Sequence, residues 1–210
     1  MIGTSEIPLS LIVVGGKAPD IFEMPPYPYA RIIAADSGYD TACRLSIVPD
    51  LAVGDFDSTE YINFVVEKEY KRAPRDKNES DMELALMEIE GGYDLLGGGE
   101  GRLDHLMYII TLFRKYGVPR FWFTKEDAII GVNSHIELDL PIGINVSIIP
   151  LGEAHVTTAG LLWELSNAYL GPEFMSLSNR NKDRRVIIDT DAPVLVRIDK
   201  DAFSWSCINS

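Results

Sequence analysis

Two carboxylates separated by one residue, Asp55 and Asp57, follow a short apolar run, Leu51–Val53, that is typical of a buried strand. In an extended segment residues i and i+2 point to the same side, so both carboxylates are expected to face one small volume at the end of a sheet. Like charges held this close repel unless a cation lies between them or one carboxylate is protonated. Because Mg²⁺ prefers oxygen ligands and commonly carries phosphates, the pair predicts metal-assisted phosphate chemistry. The alternative is an Asp-rich turn in which Ser58 caps the next helix.

Three further acids occupy equivalent places in the pattern. Asp36 follows a predicted strand, and Asp81 and Asp104 each open a predicted helix. A single Asp at a helix start is commonly a cap or a partner of the helix dipole. In open α/β sheets, however, ligands bind outside the carboxyl ends of the strands, and five acids at that edge favour a functional site.

Glycines and basic residues near these acids suggest contacts with phosphate. The glycine-rich turn 97–101 would let backbone N–H groups approach a phosphate, although it matches neither a P-loop nor a regular dinucleotide fingerprint. Gly15-Gly16, after the first strand, is a weaker candidate of the same kind. Arg102 and His105 flank Asp104 and are candidate phosphate contacts. The alternative for His105 is a partly buried helix histidine.

The elements that must position these residues alternate along residues 1–126. Short apolar runs predict strands at Leu9–Val14, Arg31–Ala35, Leu51–Val53, Tyr93–Leu96 and Phe121–Phe123. Between them, helical patterns predict helices at Tyr39–Leu45, Thr59–Tyr70, Ser80–Ile89 and Leu103–Tyr116. The alternation predicts an α/β nucleotide-binding domain with a mostly parallel, Rossmann-like sheet.

Residues 127–210 have a different pattern, rich in β-branched residues and punctuated by Gly, Pro, Asp and Asn. They predict strands at Ala128–Val132, His135–Leu138, Asn145–Ile149, His155–Ala159, Leu161–Trp163, Val186–Asp189 and Val194–Ile198. A C-terminal antiparallel β-sandwich domain is therefore expected, with the domain boundary near Thr124–Ala128.

Composition narrows the classes of function. Hydrophobic residues make up 46% of the chain, enough for a core, and no apolar run approaches the ~20 residues that span a bilayer. The first apolar run ends in Gly15-Gly16 and has no basic segment before it, so it predicts a strand and not a signal peptide. Two distant cysteines argue against a disulfide scaffold or a cysteine-based zinc site. A net charge of −13 disfavours a nucleic-acid partner, and a cytoplasmic location is expected.

Six motifs follow one another in an order that resembles a known family. The first four are Ala35-Asp36-Ser37-Gly38, Gly54-Asp55-Phe56-Asp57-Ser58, Lys77-Asn78-Glu79-Ser80-Asp81 and Gly98-Gly99-Glu100-Gly101-Arg102-Leu103-Asp104-His105. The last two are Gly160-Leu161-Leu162-Trp163-Glu164-Leu165 and Ser176-Leu177-Ser178-Asn179. In order and spacing they closely resemble thiamine pyrophosphokinases (thiamine diphosphokinases), including that family's Gly-Leu-Lys-Trp and Ser-x-Ser-Asn segments.

The resemblance implies an α/β domain joined to a β-sandwich, in agreement with the predicted elements. It implies transfer of the terminal diphosphate of ATP to the hydroxyl of thiamine, with Mg²⁺ as cofactor and AMP as product. Members of the family are homodimers in which thiamine binds between the α/β domain of one subunit and the sandwich of the other. ATP and thiamine are therefore the expected substrates, and a homodimer is the expected assembly.

The resemblance also implies roles for single residues in the ATP site. Catalytic and metal-binding roles fall on Asp55, Asp57 and Asp81, and Asp36 would lie beside them. The remaining residues implied to contact ATP are Lys77, Arg102, Asp104 and His105. Asp55 and Asp81 are both candidates for the base that accepts the hydroxyl proton of thiamine.

For thiamine, the resemblance implies a stacking role for Trp163. The residues implied at the same pocket are Ser176, Ser178 and Asn179. An aromatic face suits the cationic thiazolium ring because the face of the ring is electron-rich. The alternative for Trp163 is a place in the core of the sandwich, where aromatic residues are common.

The chain also departs from the family pattern, and other functions would use the same acids. Lys77-Asn78 stands where the family usually has Lys-Asp, Leu162 replaces the common Lys before Trp163, and the segment 173–185 is more basic than expected. One rival function is a metal-dependent phosphohydrolase or nucleotidyltransferase. Another is a non-catalytic nucleotide sensor with the β domain as an interaction module.

Overall fold

Contacts within the chain divide it into two units, Met1–Leu112 and Phe113–Ser210. The computed structural model describes residues 8–57, 59–60, 69–74 and 78–209, so Ser58 and Lys77 lie outside the described residues. The division by contacts falls inside one continuous helix, and the domain boundary near Thr124–Ala128 stays a prediction.

The N-terminal unit contains a parallel sheet, which confirms the predicted class. Its strands are β1 (Leu9–Val14), β2 (Arg31–Ala35), β3 (Leu51–Gly54), β4 (Glu69–Arg72) and β5 (Gly92–Leu96). They are ordered β5-β1-β2-β3-β4, and neighbours run parallel. Every residue of β1 and β3 is buried, as expected for strands covered on both faces.

The strand order reverses direction beside β1, and this reversal fixes where a ligand can bind. From β1 the chain runs outward through β2 and β3 to β4, and then returns to β5 on the other side of β1. In such sheets the crevice at the carboxyl ends of the two strands on either side of the reversal is the usual ligand site. Gly15-Gly16 follows β1 and Gly97-Gly98 follows β5, so both glycine turns meet at this crevice.

Three α-helices lie among the described residues: α1 (Gly38–Arg44) between β2 and β3, α2 (Asp81–Leu86) between β4 and β5, and α3 (Leu103–Tyr116) after β5. The hydroxyl of Ser80 accepts a hydrogen bond of 3.2 Å from the N–H of Glu83, which confirms the predicted cap of α2. Helix α1 begins directly against β1, because a Cβ on Gly38 would lie 2.1 Å from the carbonyl oxygen of Val13. Asp36, Asp81 and Asp104 are thereby placed at or next to helix starts.

The C-terminal unit contains the predicted antiparallel sandwich, whose strands form two groups of five. One group has the order β12-β9-β14-β7-β6, with strands β6 (Phe121–Phe123), β7 (Asp127–Val132), β9 (Asn145–Pro150), β12 (Ser176–Arg180) and β14 (Val194–Asp199). The other has the order β11-β10-β13-β8-β15, with strands β8 (His135–Asp139), β10 (Ala154–Ala159), β11 (Ala168–Leu170), β13 (Arg185–Thr190) and β15 (Ile208–Asn209). Burial alternates residue by residue along β10, so this sheet has one face in the core.

Two of the predicted elements are wrong in part or in full. Leu161–Trp163 is not a strand, because Gly160 has a φ of +93° and Leu161 makes only an isolated bridge to Asn181. The predicted helix Thr59–Tyr70 is wrong at its end, where β4 begins, while residues 61–68 lie outside the described part of the chain. Sequence periodicity also missed β4, β11, β12 and β15, which are short, and β4 and β12 are largely polar.

The glycine turn after β5 provides a test of this packing. Gly97 and Gly101 have similar φ values, +94° and +96°, but different surroundings. A Cβ on Gly97 would lie 2.3 Å from the carbonyl oxygen of Val14, whereas a Cβ on Gly101 would meet nothing within 4 Å. Gly101→Ala should therefore cost about 1–2 kcal/mol of backbone strain, and Gly97→Ala should cost more because β1 must shift. Urea unfolding of both variants checks this, and equal losses of stability would contradict the close approach of the turn to β1.

Candidate active site

A cavity of about 610 Å³ opens at the crevice where the strand order reverses. Its walls include both glycine turns, which are joined by hydrogen bonds of 2.8 Å from the N–H of Gly98 to the carbonyl of Gly15 and from the N–H of Lys17 to the carbonyl of Gly99. The predicted site residues among its lining are Asp36, Asp81, Arg102, Asp104 and His105. The volume suits a small-molecule or cofactor ligand, so the predicted ATP residues converge on a cavity of appropriate size.

Beside this cavity three carboxylates converge. One oxygen from each of Asp36, Asp55 and Asp57 lies within 4.8 Å of the other two. Asp36 is held by a 2.8 Å hydrogen bond from its N–H to the carbonyl of Val53. Its approach needs Gly54, since a Cβ there would lie 3.2 Å from Asp36 atoms. The carboxyl ends of β2 and β3 are thus brought together at the edge of the sheet.

The two acids after β3 converge by a different route from the one predicted. The segment is not extended, because Phe56 adopts a left-handed φ of 58° and the N–H of Asp57 donates a 3.2 Å hydrogen bond to Oδ1 of Asp55. Phe56 is buried and packs with Ala34, Tyr39 and Ala52. The core therefore anchors a tight turn, and the turn aims both carboxylates at one volume.

Backbone strain accompanies these functional groups. Asp36, Phe56 and Glu100 all have left-handed φ values, of 46°, 58° and 51°, at the edge of the sheet. Such conformations cost about 1–3 kcal/mol each for residues other than glycine and concentrate at functional sites. Strain at this edge is consistent with a binding site.

The three carboxylates fit a hard divalent cation. Carboxylate oxygens are the preferred protein ligands of Mg²⁺, and the spacing of this group is short enough for one ion to contact all three. Asp81 lies outside this group of three as far as the described residues show, and instead lines the cavity that Asp36 also lines. Asp36 is thus the common member of the carboxylate group and the cavity.

Arginine side chains lie near these acids on both sides. Arg72 ends β4 opposite Gly54, and with Asp55 and Asp57 it lines a second cavity of about 510 Å³. Sequence reasoning missed Arg72 because it assigned this stretch to a helix and its end. On the other side, a hydrogen bond from Arg102 lowers the pKa of Asp104, and the same bond raises the pKa of Arg102.

His105 is exposed at the start of α3 and lines the 610 Å³ cavity. The backbone N–H of His105 donates a 3.1 Å hydrogen bond to Oδ1 of Asp104. This position does not agree with the alternative of a partly buried helix histidine. It leaves the imidazole available to a ligand in the cavity.

Trp163 lies in the C-terminal unit and is 64% exposed, which excludes the alternative of a core tryptophan. The buried carboxamide of Asn179 binds both backbone groups of Trp163. Its oxygen accepts a 3.2 Å hydrogen bond from the N–H of Trp163, and its nitrogen donates a 2.7 Å hydrogen bond to the carbonyl of Trp163. Ser176 is buried in β12, while Ser178 has a left-handed φ of 54° and donates its N–H to Ser147. The structure therefore gives Asn179 a supporting contact with the backbone of Trp163.

The turn 160–165, which carries Trp163, is held together by the side chain of Glu164, the residue after Trp163. Its carboxylate accepts 2.9 Å hydrogen bonds from the hydroxyl of Thr158 and the N–H of Gly160, and Lys182 lies 2.9 Å away. Burial opposes ionisation of this carboxyl, but the contacts with Lys182, Thr158 and Gly160 outweigh it and lower the pKa of Glu164. Sequence reasoning missed Glu164, because its partners are set by the tertiary structure.

Two family models match these two parts of the chain. The catalytic domain of thiamin pyrophosphokinase matches residues 29–121, and its vitamin B1-binding domain matches residues 133–195. The chain belongs to the thiamin pyrophosphokinase family. The activity of that family, ATP-dependent transfer of a diphosphate group to thiamine, replaces the rival functions of phosphohydrolase, nucleotidyltransferase and nucleotide sensor.

Solved structures share the fold. A thiamin pyrophosphokinase family protein from Enterococcus faecalis is 23% identical with a TM-score of 0.75, over 92% of this chain and 99% of that chain. Thiamin pyrophosphokinase from Geobacillus thermodenitrificans is 24% identical with a TM-score of 0.71, over 95% and 99%. The enzyme from Candida albicans is 15% identical with a TM-score of 0.71, over 92% and 89%. No curated protein sequence matches the chain significantly.

None of the helices in the described part of the chain is both long and apolar enough to cross a membrane.

Acidification should loosen the turn 160–165. Because the pKa of Glu164 is lowered in the folded protein, its stabilising effect is complete above the ordinary value of 4.5 and is lost as the pH falls through the lowered pKa. The free energy of unfolding, followed from about pH 7 to about pH 3, should therefore fall more for the parent than for Glu164→Gln. Parallel curves for the two proteins would show that these contacts do not favour the ionised carboxyl.

Proposed function

We propose that this member of the thiamin pyrophosphokinase family binds the triphosphate of ATP at the edge of the parallel sheet, with Mg²⁺ as its metal. The convergence of Asp36, Asp55 and Asp57 beside the 610 Å³ cavity is the observation that carries the proposal. Asp55, Asp57 and Asp81 are assigned as metal-binding and catalytic residues, with Asp36 joining them. When bound, Mg²⁺ supplies charge neutralisation at the phosphate oxygens and orients the phosphates.

The chain's own residues then position the reactants. The hydroxyl oxygen of thiamine forms a bond to the β-phosphorus of ATP, and the bond from that phosphorus to the α,β-bridging oxygen breaks, so AMP leaves with the bridging oxygen. A carboxylate accepts the hydroxyl proton, and Asp55 and Asp81 are the candidates for this role. Positioning and electrostatic stabilisation account for most of catalysis in phosphoryl transfer, which suits a site made of carboxylates, arginines and glycine turns.

Arginines and the glycine turns contribute to binding the nucleotide. Arg72 faces the volume next to Asp55 and Asp57, and Arg102 can exchange Asp104 for a phosphate, since guanidinium binds both groups bidentately. The paired glycine turns let backbone N–H groups approach a phosphate. Lys77, Asp104 and His105 complete the assigned ATP site.

For thiamine, the proposed platform is the exposed indole of Trp163. Its face suits the cationic thiazolium ring, and Asn179 supports its backbone. Ser176 and Ser178 are assigned to the same pocket. The proposed assembly is a homodimer in which the α/β domain of one subunit and the sandwich of the other enclose thiamine, and the proposed location is the cytoplasm.

Removing one metal-binding carboxylate should abolish turnover without unfolding the protein. Asp57→Asn is expected to lower thiamine diphosphate formation by roughly a hundredfold or more. It should not lower the melting temperature without metal, because one of three repelling charges is removed. The measurement quantifies AMP and thiamine diphosphate with Mg²⁺, ATP and thiamine, alongside a melting curve.

The matched control is Asp201→Asn, which changes a carboxylate that is 99% exposed in the other unit and should leave turnover unchanged. Near-normal activity of Asp57→Asn would contradict the assigned metal site. AMP formed without thiamine would contradict the proposed reaction.

Trp163→Ala should raise the KM for thiamine by roughly tenfold through loss of the aromatic platform. The KM for ATP and the melting temperature should change little, because the indole is 64% exposed. Trp205→Ala is the matched control, since Trp205 packs edge-on against Phe121, Phe123 and Phe203 and should affect stability instead. An unchanged KM for thiamine in Trp163→Ala would contradict the proposed stacking.

A further inference from the structure

The indole of Trp163 projects from an irregular turn, and a binding platform on such a turn must be kept in one conformation. The turn 160–165 connects toward β11 without helix or strand structure of its own. An exposed aromatic on a loose turn would have to be ordered at each binding event, and that ordering weakens binding. The structure therefore has to order the turn before thiamine arrives.

Glu164 provides much of this order because one carboxylate joins several parts of the C-terminal unit. Oε1 accepts from the N–H of Gly160, at the start of the turn, and contacts Nζ of Lys182 beyond β12. Oε2 accepts from the hydroxyl of Thr158 at the end of β10. The oxygen of that hydroxyl in turn accepts a 2.9 Å hydrogen bond from the N–H of Leu165, at the end of the turn. Both ends of the turn are thus tied to one side chain.

The backbone of the turn also lies close to the neighbouring segments of the unit. Gly160 has a φ of +93°, and a Cβ there would lie 2.2 Å from the carbonyl oxygen of Arg185. The carbonyl of Gly160 accepts from the N–H of Lys182 at 2.8 Å, and the N–H of Leu162 donates to Arg180 at 2.7 Å. Glu164 therefore closes a turn that is already close to the neighbouring strands.

Charge gives Glu164 a second effect on the same site. The ammonium group of Lys182 forms an ion pair with Glu164, the residue that follows Trp163. Without the carboxylate, this positive charge would keep only the attraction of the neighbouring Asp183, and a less fully neutralised cation repels a cationic ring. Glu164 therefore both orders the turn and neutralises the nearby cation.

We propose that Glu164 is a positioning residue for thiamine, which holds the turn 160–165 so that Trp163 forms a preorganised platform and which cancels the charge of Lys182 beside it. The inference rests on the proposed thiamine site at Trp163. It assigns to Glu164 an effect on thiamine affinity that acts through Trp163 and not through contact with the substrate.

The test measures thiamine binding by isothermal titration calorimetry, which needs no tryptophan as reporter, together with KM and kcat. Glu164→Ala should weaken thiamine binding and raise its KM by about tenfold or more, since a charged, multiply bonded group is lost. Glu164→Gln keeps an acceptor but loses the charge and should lie between parent and Glu164→Ala. The KM for ATP should stay within about twofold of the parent, because the ATP site lies in the other unit.

A matched control separates this role from plain stability. Asp139→Ala removes another ion pair of the same unit, in which Arg184 lies 3.0 Å from Asp139, without touching the turn. It should leave thiamine affinity unchanged and alter the melting temperature only slightly, because both side chains of this pair are exposed. Lys182→Met in the Glu164→Gln background should restore part of the affinity, because the charge that Glu164 no longer neutralises is then removed.

A double-mutant cycle distinguishes failure of the inference from failure of the proposed thiamine site. If Trp163→Ala weakens thiamine binding and Glu164→Ala has no further effect in that background, Glu164 acts through Trp163 as inferred. If Trp163→Ala weakens binding but folded Glu164→Ala binds like the parent, the inference is wrong and the site stands. If Trp163→Ala itself binds thiamine normally, the proposed site fails, and the inference fails with it.

Discussion

The convergence of three carboxylates is the constraint on which the N-terminal unit depends. Oxygens of Asp36, Asp55 and Asp57 lie within 4.8 Å of one another, where like charges repel. The backbone resists this repulsion, because Asp36 is bonded to β3 and the buried Phe56 anchors the turn between the other two acids. Left-handed conformations at the same edge show that the fold tolerates strain where it concentrates charge.

The parallel sheet makes this convergence possible at the right place. Carboxyl ends of parallel strands meet at one edge, and the reversal of strand order beside β1 opens a crevice there. Glycines at positions 54 and 97 allow backbone approaches that a side chain would block. Acidic groups, arginines and open glycine turns therefore share one edge, as transfer of a charged diphosphate requires.

The C-terminal unit has a different task, which is to present the exposed indole of Trp163 from an irregular turn. Its sandwich supplies rigid strands, and the buried Asn179 and the partly buried Glu164 tie the exposed Trp163 to them. In the basic segment after β12, Lys182 takes part in this support through Glu164, whereas Arg184 and Arg185 form ion pairs with Asp139 and Glu137 of β8. The high density of basic residues there thus reflects ion pairing within the sandwich, in keeping with an overall charge of −13.

The sequence by itself determined the α/β and antiparallel classes of the two units, most strand and helix positions, and the acidic motifs. These follow from local signals, namely the spacing of hydrophobic residues and the Gly, Ser and Asp residues that interrupt it. It misjudged the turn at Phe56 and the segment after Gly160, where the left-handed backbone is held by packing and hydrogen bonds. Only the tertiary structure decided that Arg72 faces the acids and that Glu164 meets Lys182. Strand register and contacts between residues distant in the chain create those neighbours, and no local pattern encodes them.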